Sequence, residues 1–138
     1  MSTPPAVLPH RDAVKAALEA GGLTVGLGGA PPTAPPNGTT TEYVALYVAP
    51  GRSVPESLAD ARLDFDTVFQ VTCVGKTEER CLWVADKARR ALHGTLTVDG
   101  RRAWRPEELG GPPVQRDDDV SPPLYFVPVQ YRLMSTPA

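Results

Sequence analysis

The sequence predicts an α+β fold, with two helices packed on a mixed or mainly antiparallel sheet of about four to six strands joined by long Pro/Gly-rich loops. Three observations carry this prediction. Two segments repeat apolar residues at helical spacing, several others alternate with the period of a strand, and the elements follow the order helix, strands, helix, hairpin, strand. A chain of 138 residues is near the usual size of one domain, so residues 1–138 are read as a single unit able to bury a core. Its 16 Pro and 12 Gly imply extended ordered loops or tails.

After a Pro-bearing start, residues 11–20 read as a short amphipathic helix. Val14, Ala17 and Leu18 share one face, Arg11, Asp12, Lys15 and Glu19 the other, and Gly21-Gly22 ends it. Residues 23–27 are expected to form a brief strand. Residues 28–41, rich in Gly, Pro, Thr and Asn, have little to bury and read as an exposed loop. Residues 42–48 are apolar and β-rich, with Tyr43, Ala45 and Tyr47 opposite Val44, Leu46 and Val48, as an interior strand requires. In residues 49–63, Pro50-Gly51 and Pro55 among polar residues predict an excursion outside the sheet.

The clearest strand covers residues 64–74, where Phe65, Thr67, Phe69, Val71 and Cys73 alternate with Asp66, Val68, Gln70, Thr72 and Val74. Gly75 breaks it. Thr77 then supplies a helix cap, and Glu78 and Glu79 put negative charge where the helix dipole favours it. The second helix runs to about Leu92. Its packing stripe of Cys81, Ala85, Ala88 and Leu92 is small enough for close approach to a sheet, and Arg89, Arg90 and His93 close its last turn before Gly94. Residues 95–104 are expected to make a hairpin around Asp99-Gly100. Residues 105–123 are polar and broken by Gly and Pro. Residues 124–133 return as a strand with Tyr125, Val127, Val129, Tyr131 and Leu133 on one face, and Pro128 predicts that it has a free edge.

The chemistry-bearing residues do not assemble into a recognisable catalytic pattern. Cys73 and Cys81 are expected to be free, partly buried thiols on packing surfaces, without an activating neighbour. Together with His10 and His93 they lack the paired spacing of a zinc site. Arg116-Asp117-Asp118-Asp119 lacks the spaced carboxylates of a cation loop and reads as a solvated or intersubunit charge cluster. The run Gly26-Leu27-Gly28-Gly29 has no following Lys-Ser/Thr, and Pro31-Pro32 prevents a helix from starting there, so it reads as a flexible connection. His10 is placed near the first helix cap, and Trp83 and Trp104 in core or edge packing. A catalytic role and a bound cofactor or metal are therefore not expected.

A formal charge of −2 lacks the footprint of a general nucleic-acid binder. Neither an apolar run of about 20 residues nor a secretory leader is present, so no membrane partner is expected and folding is assigned to the cytoplasm.

Three strings then stand out in register: Phe69 to Gly75, Trp83 to Arg89, and Arg116 to Val120 leading into Pro122-Pro123 and Tyr125. With the Tyr131 to Ala138 ending, they resemble the tail terminator, or minor tail, proteins of actinobacterial long-tailed bacteriophages over most of the chain. The resemblance implies a structural virion protein, assembled in the host cytoplasm. It would form a homohexameric ring at the head-proximal end of the tail, ending tube polymerisation and joining the tail to the neck. Its implied partners are further copies of itself, the tail tube protein and the neck or head-completion proteins, with DNA passing through the lumen without specific binding. Arg89 and Arg90 are then expected to meet Arg116, Asp117, Asp118 and Asp119 across the subunit interface. Arg52, Glu56, Asp60 and Arg62 are expected to face the tube or neck. The competing readings are another neck component, such as a head-completion or stopper protein, and a small ligand-binding or enzymatic α+β domain.

Overall fold

In chain order the elements are α1 (Val7–Ala20), β1 (Val25–Leu27), β2 (Tyr43–Val48), β3 (Arg52–Val54), β4 (Asp64–Gly75), α2 (Glu78–Ala91), β5 (Arg101–Ala103), β6 (Glu107–Gly110), β7 (Gln115–Asp117) and β8 (Leu124–Pro137). These come from a computed structural model that describes residues 4–54 and 63–138. The strong alternation of β4 puts it at the centre of one sheet. β8 runs antiparallel along one side of it, from Phe65↔Ser135 to Gly75↔Tyr125. β2 lies antiparallel on the other side, from Tyr43↔Val74 to Val48↔Phe69, and β3 continues that column with Arg52 opposite Asp66. β1 adds a parallel edge beside β2.

Both helices cover the same face. Val14 and Leu18 of α1 and Cys81, Val84 and Ala88 of α2 meet Val44, Leu46, Phe69, Val71, Val127, Val129 and Leu133 in one core. Phe69 stacks on Tyr131 with ring centroids 5.3 Å apart. The Thr77 hydroxyl accepts from the Arg80 N–H at 3.1 Å, which fixes the start of α2. A Cβ placed on Gly75 would lie 2.3 Å from the Cys81 nitrogen, so the turn from β4 into α2 has room only for glycine.

The sheet has eight strands, more than the expected four to six. The added strands are short and polar. β5, β6 and β7 follow one another along the outer edge of β8, where backbone hydrogen bonds rather than an apolar face hold them. β3 similarly takes the first part of the expected 49–63 excursion into the sheet. Asp99-Gly100 makes the expected turn, with the Arg101 N–H donating to the Val98 carbonyl and Gly100 at φ 69°. It does not make a hairpin, because Val98 buries itself in the core and β5 pairs with the end of β8.

Pro128 does not mark a free side of β8, which is paired on both sides. Its carbonyl faces Gly111, and the imide nitrogen of the same residue points that way too, into the gap between β6 and β7. The 28–41 loop also departs from expectation. Ala34 is buried against Tyr43, Val74 and Leu124, so the loop folds back on the sheet.

α1 begins at Val7, four residues before the expected start, because Pro9 falls in the first turn, where no intrahelical N–H partner is needed. This moves His10 from the cap into the packed interior. His10 is fully buried, its ring 4.4 Å from that of Phe65. The Ala6 carbonyl, 2.7 Å away, can only accept, so Nδ1 carries the proton. Nε2 then accepts from the Ser135 hydroxyl at 2.6 Å, and the Ser135 oxygen accepts from Arg101 Nε at 2.8 Å. Arg101 completes the node by donating to the Leu63 carbonyl at 2.6 Å. One hydrogen-bonded chain thus ties α1, β5 and β8 to the start of β4.

Burial, aided by the nearby Arg101 charge, pushes the His10 pKa below its usual value despite the opposing Ala6 hydrogen bond. The unfolded chain therefore takes up a proton on His10 at a pH where the folded chain does not. The stability it contributes is complete above the ordinary imidazole value of 6.5 and is lost as pH falls below it. Thermal melts between about pH 7.5 and about pH 5 should show a falling midpoint, and His10→Gln should flatten that slope while lowering stability at every pH. Gly75→Ala should cost at least about 1–3 kcal/mol in urea denaturation, because the backbone of α2 must move to admit the methyl group.

Candidate functional site on the open sheet face

The helices leave the second face of the sheet free, and the 28–41 loop covers only the part around Tyr43, Val74 and Leu124. Tyr43, Ala45 and Tyr47 of β2 lie beside Gln70, Thr72 and Val74 of β4 and Phe126 and Pro128 of β8, lining a shallow depression of about 370 Å³. Asp117 lies on its border. Burial and then the Asp117 charge raise the Tyr43 pKa, so its hydroxyl stays neutral at physiological pH. Further along this face Tyr47, Val68 and Met134 are exposed. A face that is apolar in the middle and polar at its margin has the composition of a protein contact surface.

The margin is built from ion pairs. Asp66 and Arg132 point outward from adjacent strands, and Arg132 donates twice to the carboxylate, at 2.9 and 2.7 Å. Those hydrogen bonds, helped by the charges of Arg132 and Arg52 and opposed by burial, hold the Asp66 carboxyl below its ordinary range. Arg52 makes a looser 3.6 Å contact with Asp66 and is 71% exposed. Glu56, Asp60 and Arg62, the other candidates of that segment, lie outside the described residues.

The structure separates the charge clusters singled out in the sequence. Arg89 is held by its own chain, donating to Glu108 at 2.9–3.1 Å and to Asp86 at 2.8 Å, and the Glu108 hydrogen bonds raise its already high pKa. Arg90 is exposed. Arg116 pairs locally with Asp118 at 2.7 Å, and the Asp119 N–H donates to Asp117 at 3.0 Å, shaping a tight acidic turn. Among the described residues no ion pair joins Arg89 or Arg90 to Asp117, Asp118 or Asp119 within the chain.

Cys73 and Cys81 are free and more deeply buried than expected. Burial pushes their thiols to about 12 and about 11, so neither is a thiolate near neutral pH. Trp83 and Trp104 are on the surface rather than in the core. Trp83 lies between Arg80 and Lys87, whose cationic groups sit 4.1 and 4.7 Å from the ring centre. Arg80 also donates to Glu42 at 2.9 Å, tying the first turn of α2 to the start of β2. Among the described residues no group of three His, Cys, Asp or Glu could hold a metal ion.

The sequence reading missed the Asp66–Arg132 pair and the His10–Ser135–Arg101 node. The signal for the first was an outward Asp and an outward Arg on two long strands, which becomes informative only once their register is known. The second depended on the end of β8 reaching beyond residue 133.

No family model matches the sequence, and no curated protein matches it. Solved structures do. A chain from the virion of a native gene transfer agent particle aligns with a TM-score of 0.62 at 17% identity, covering 91% of this chain and 93% of that one. Another solved chain aligns with a TM-score of 0.54 at 18% identity, covering 91% of this chain and 95% of that one. At these identities the likeness establishes a shared fold.

Asp66→Ala should destabilise the protein by about 1.5–3 kcal/mol, since it strips a charged hydrogen-bond partner from Arg132. Arg52→Ala should change stability by less than about 0.5 kcal/mol, because its pair is long and exposed. Urea denaturation of the two variants separates an anchoring pair from a loosely held one.

Proposed function

We propose that this chain is a structural subunit of a phage-like virion, and specifically a tail terminator of an actinobacterial long-tailed bacteriophage. The observation that carries the reading is the end-to-end likeness to a chain of a gene transfer agent virion, which leaves no domain of either chain unaccounted for. The sequence strings that resemble tail terminators fall on connected parts of this fold: the second half of β4, the body of α2, and the β7 edge with its acidic turn.

In this reading the chain is not an enzyme. It forms a ring, expected to be hexameric, at the head-proximal end of the tail tube, where it stops polymerisation and offers a surface to the neck proteins. A ring of identical subunits needs two different complementary surfaces on each copy. The open sheet face and the charged ends of β8 supply surfaces of different chemistry. Arg52 remains a candidate for contact with the tube or neck. A net charge of −2 suits a lumen through which DNA slides. Among the described residues no helix is long and apolar enough to cross a membrane.

Electron microscopy of particles assembled without this chain tests the proposal. Abnormally long, unattached tubes are expected. Normal-length free tails beside filled heads would instead assign the chain to the neck, and intact virions would reject both roles.

A further inference from the structure

Arg52, Arg80, Arg89, Arg116 and Arg132 each meet a carboxylate of their own chain. Arg102 and Arg105 differ. Both are exposed, and neither makes an ion pair or side-chain hydrogen bond among the described residues. They line one open groove of about 810 Å³ at the β5 edge, together with His93 and the indole of Trp104, which is 52% exposed. Among the described residues no carboxylate lines this groove. Two unengaged guanidinium forks beside an exposed aromatic ring suit carboxylates or phosphates.

The chain carries a matching group at the far end of the same edge. Arg102 pairs with Thr136 at one end of β8, and Asp117 pairs with Leu124 at the other. The twelve-residue step from Leu124 to Thr136 spans roughly 40 Å at about 3.3 Å per residue, so groove and turn cannot meet within one molecule. Asp117, Asp118 and Asp119 outweigh Arg116 in charge. The Arg116–Asp118 bridge has side chains 57% and 64% exposed, and bridges so open to solvent are weak, so Asp118 can exchange partners at little cost. Overall negative charge disfavours a nucleic acid as the occupant, whereas every copy of the chain presents the acidic turn.

We propose that the groove formed by Arg102, Trp104, Arg105 and His93 receives the Asp117–Asp119 turn of a second copy, giving a head-to-tail contact that repeats from subunit to subunit. The proposal rests on the reading of the chain as a self-assembling subunit and replaces Arg89 with Arg102 and Arg105 as its cationic partners.

Sedimentation velocity of the full chain at low and moderate salt provides the test. The wild type should associate with increasing concentration, and salt should weaken that association. Arg102→Glu/Arg105→Glu and Asp118→Lys/Asp119→Lys should each associate at least about 10-fold more weakly while melting like the wild type, because all four side chains are exposed. An equimolar mixture of the two variants should recover association, since each supplies what the other has lost. Variants that associate like the wild type would overturn the proposal, as would a wild type that stays monomeric. Loss of binding to a labelled oligonucleotide without loss of self-association would also overturn it and assign the groove to nucleic acid. Particles lacking the chain judge the broader reading separately: long unattached tubes together with unaffected variant association would remove this contact and keep the role.

Discussion

The pairing of β4 with β8 is the constraint on which the rest of the molecule depends. Eleven consecutive residue pairs join the two longest strands, and their registers fix which side chains face the helices. Slipping that register by one residue, with β4 held in place by the helices, would turn Tyr131 and Leu133 of β8 to solvent and bring Gln130, Arg132 and Met134 inside. β2 and β3 attach to the remaining edge of β4, and β5, β6 and β7 attach to the remaining edge of β8. Every surface described above therefore inherits its position from this one ladder.

How far the fold was legible in the sequence follows from the same physics. β4, α2 and β2 were legible because each buries an apolar set at its own period, and the Thr77 cap and Gly75 break bounded α2 without tertiary information. β3, β5, β6 and β7 were not, since a segment of three or four residues held by a neighbour's backbone needs no apolar pattern of its own. α1 was placed too late because the Pro-bearing start was left outside the helix, although proline costs little in a first turn. The candidate charges were legible as charges but not as partners. Arg89 reads as a helix-end cation until β6 brings Glu108 beside it, and Arg102 reads as part of a hairpin until β5 is carried to the end of β8.

The two faces of the sheet divide the work of folding and contact. Among the described residues the inner face holds an apolar core with two polar insertions, Thr67, whose hydroxyl donates to the Ala49 carbonyl at 2.9 Å, and the His10–Ser135–Arg101 node, in which each group has a geometrically defined partner. That node joins elements near both ends of the sequence. The outer face carries Tyr47, Val68 and Met134 in the open and keeps its charges at the margin. The buried polar groups are thus mostly satisfied within the chain, one Asp64 carboxylate oxygen being the exception among the described residues, while apolar and charged groups are left exposed on the outer face.

The edges of the sheet limit the form that contact can take. An exposed strand edge would let copies join through their backbones without regard to partner. Here β1 offers only three residues, and the outer edge of β8 is occupied by three short strands. Gly110, at φ 86°, interrupts β6 at a register shift, and Pro112 and Pro113 remove backbone donors before β7 begins. Extended backbone pairing between copies is therefore disfavoured at both edges. In the proposed contact between copies, side-chain chemistry at the ends of β8 is then the means of recognition. Its signs differ at the two ends, with unengaged arginines beside Trp104 and aspartates after β7. Like ends repel and unlike ends attract, so in the proposed self-assembly this charge pattern favours a head-to-tail contact over a two-fold symmetric one joining like ends.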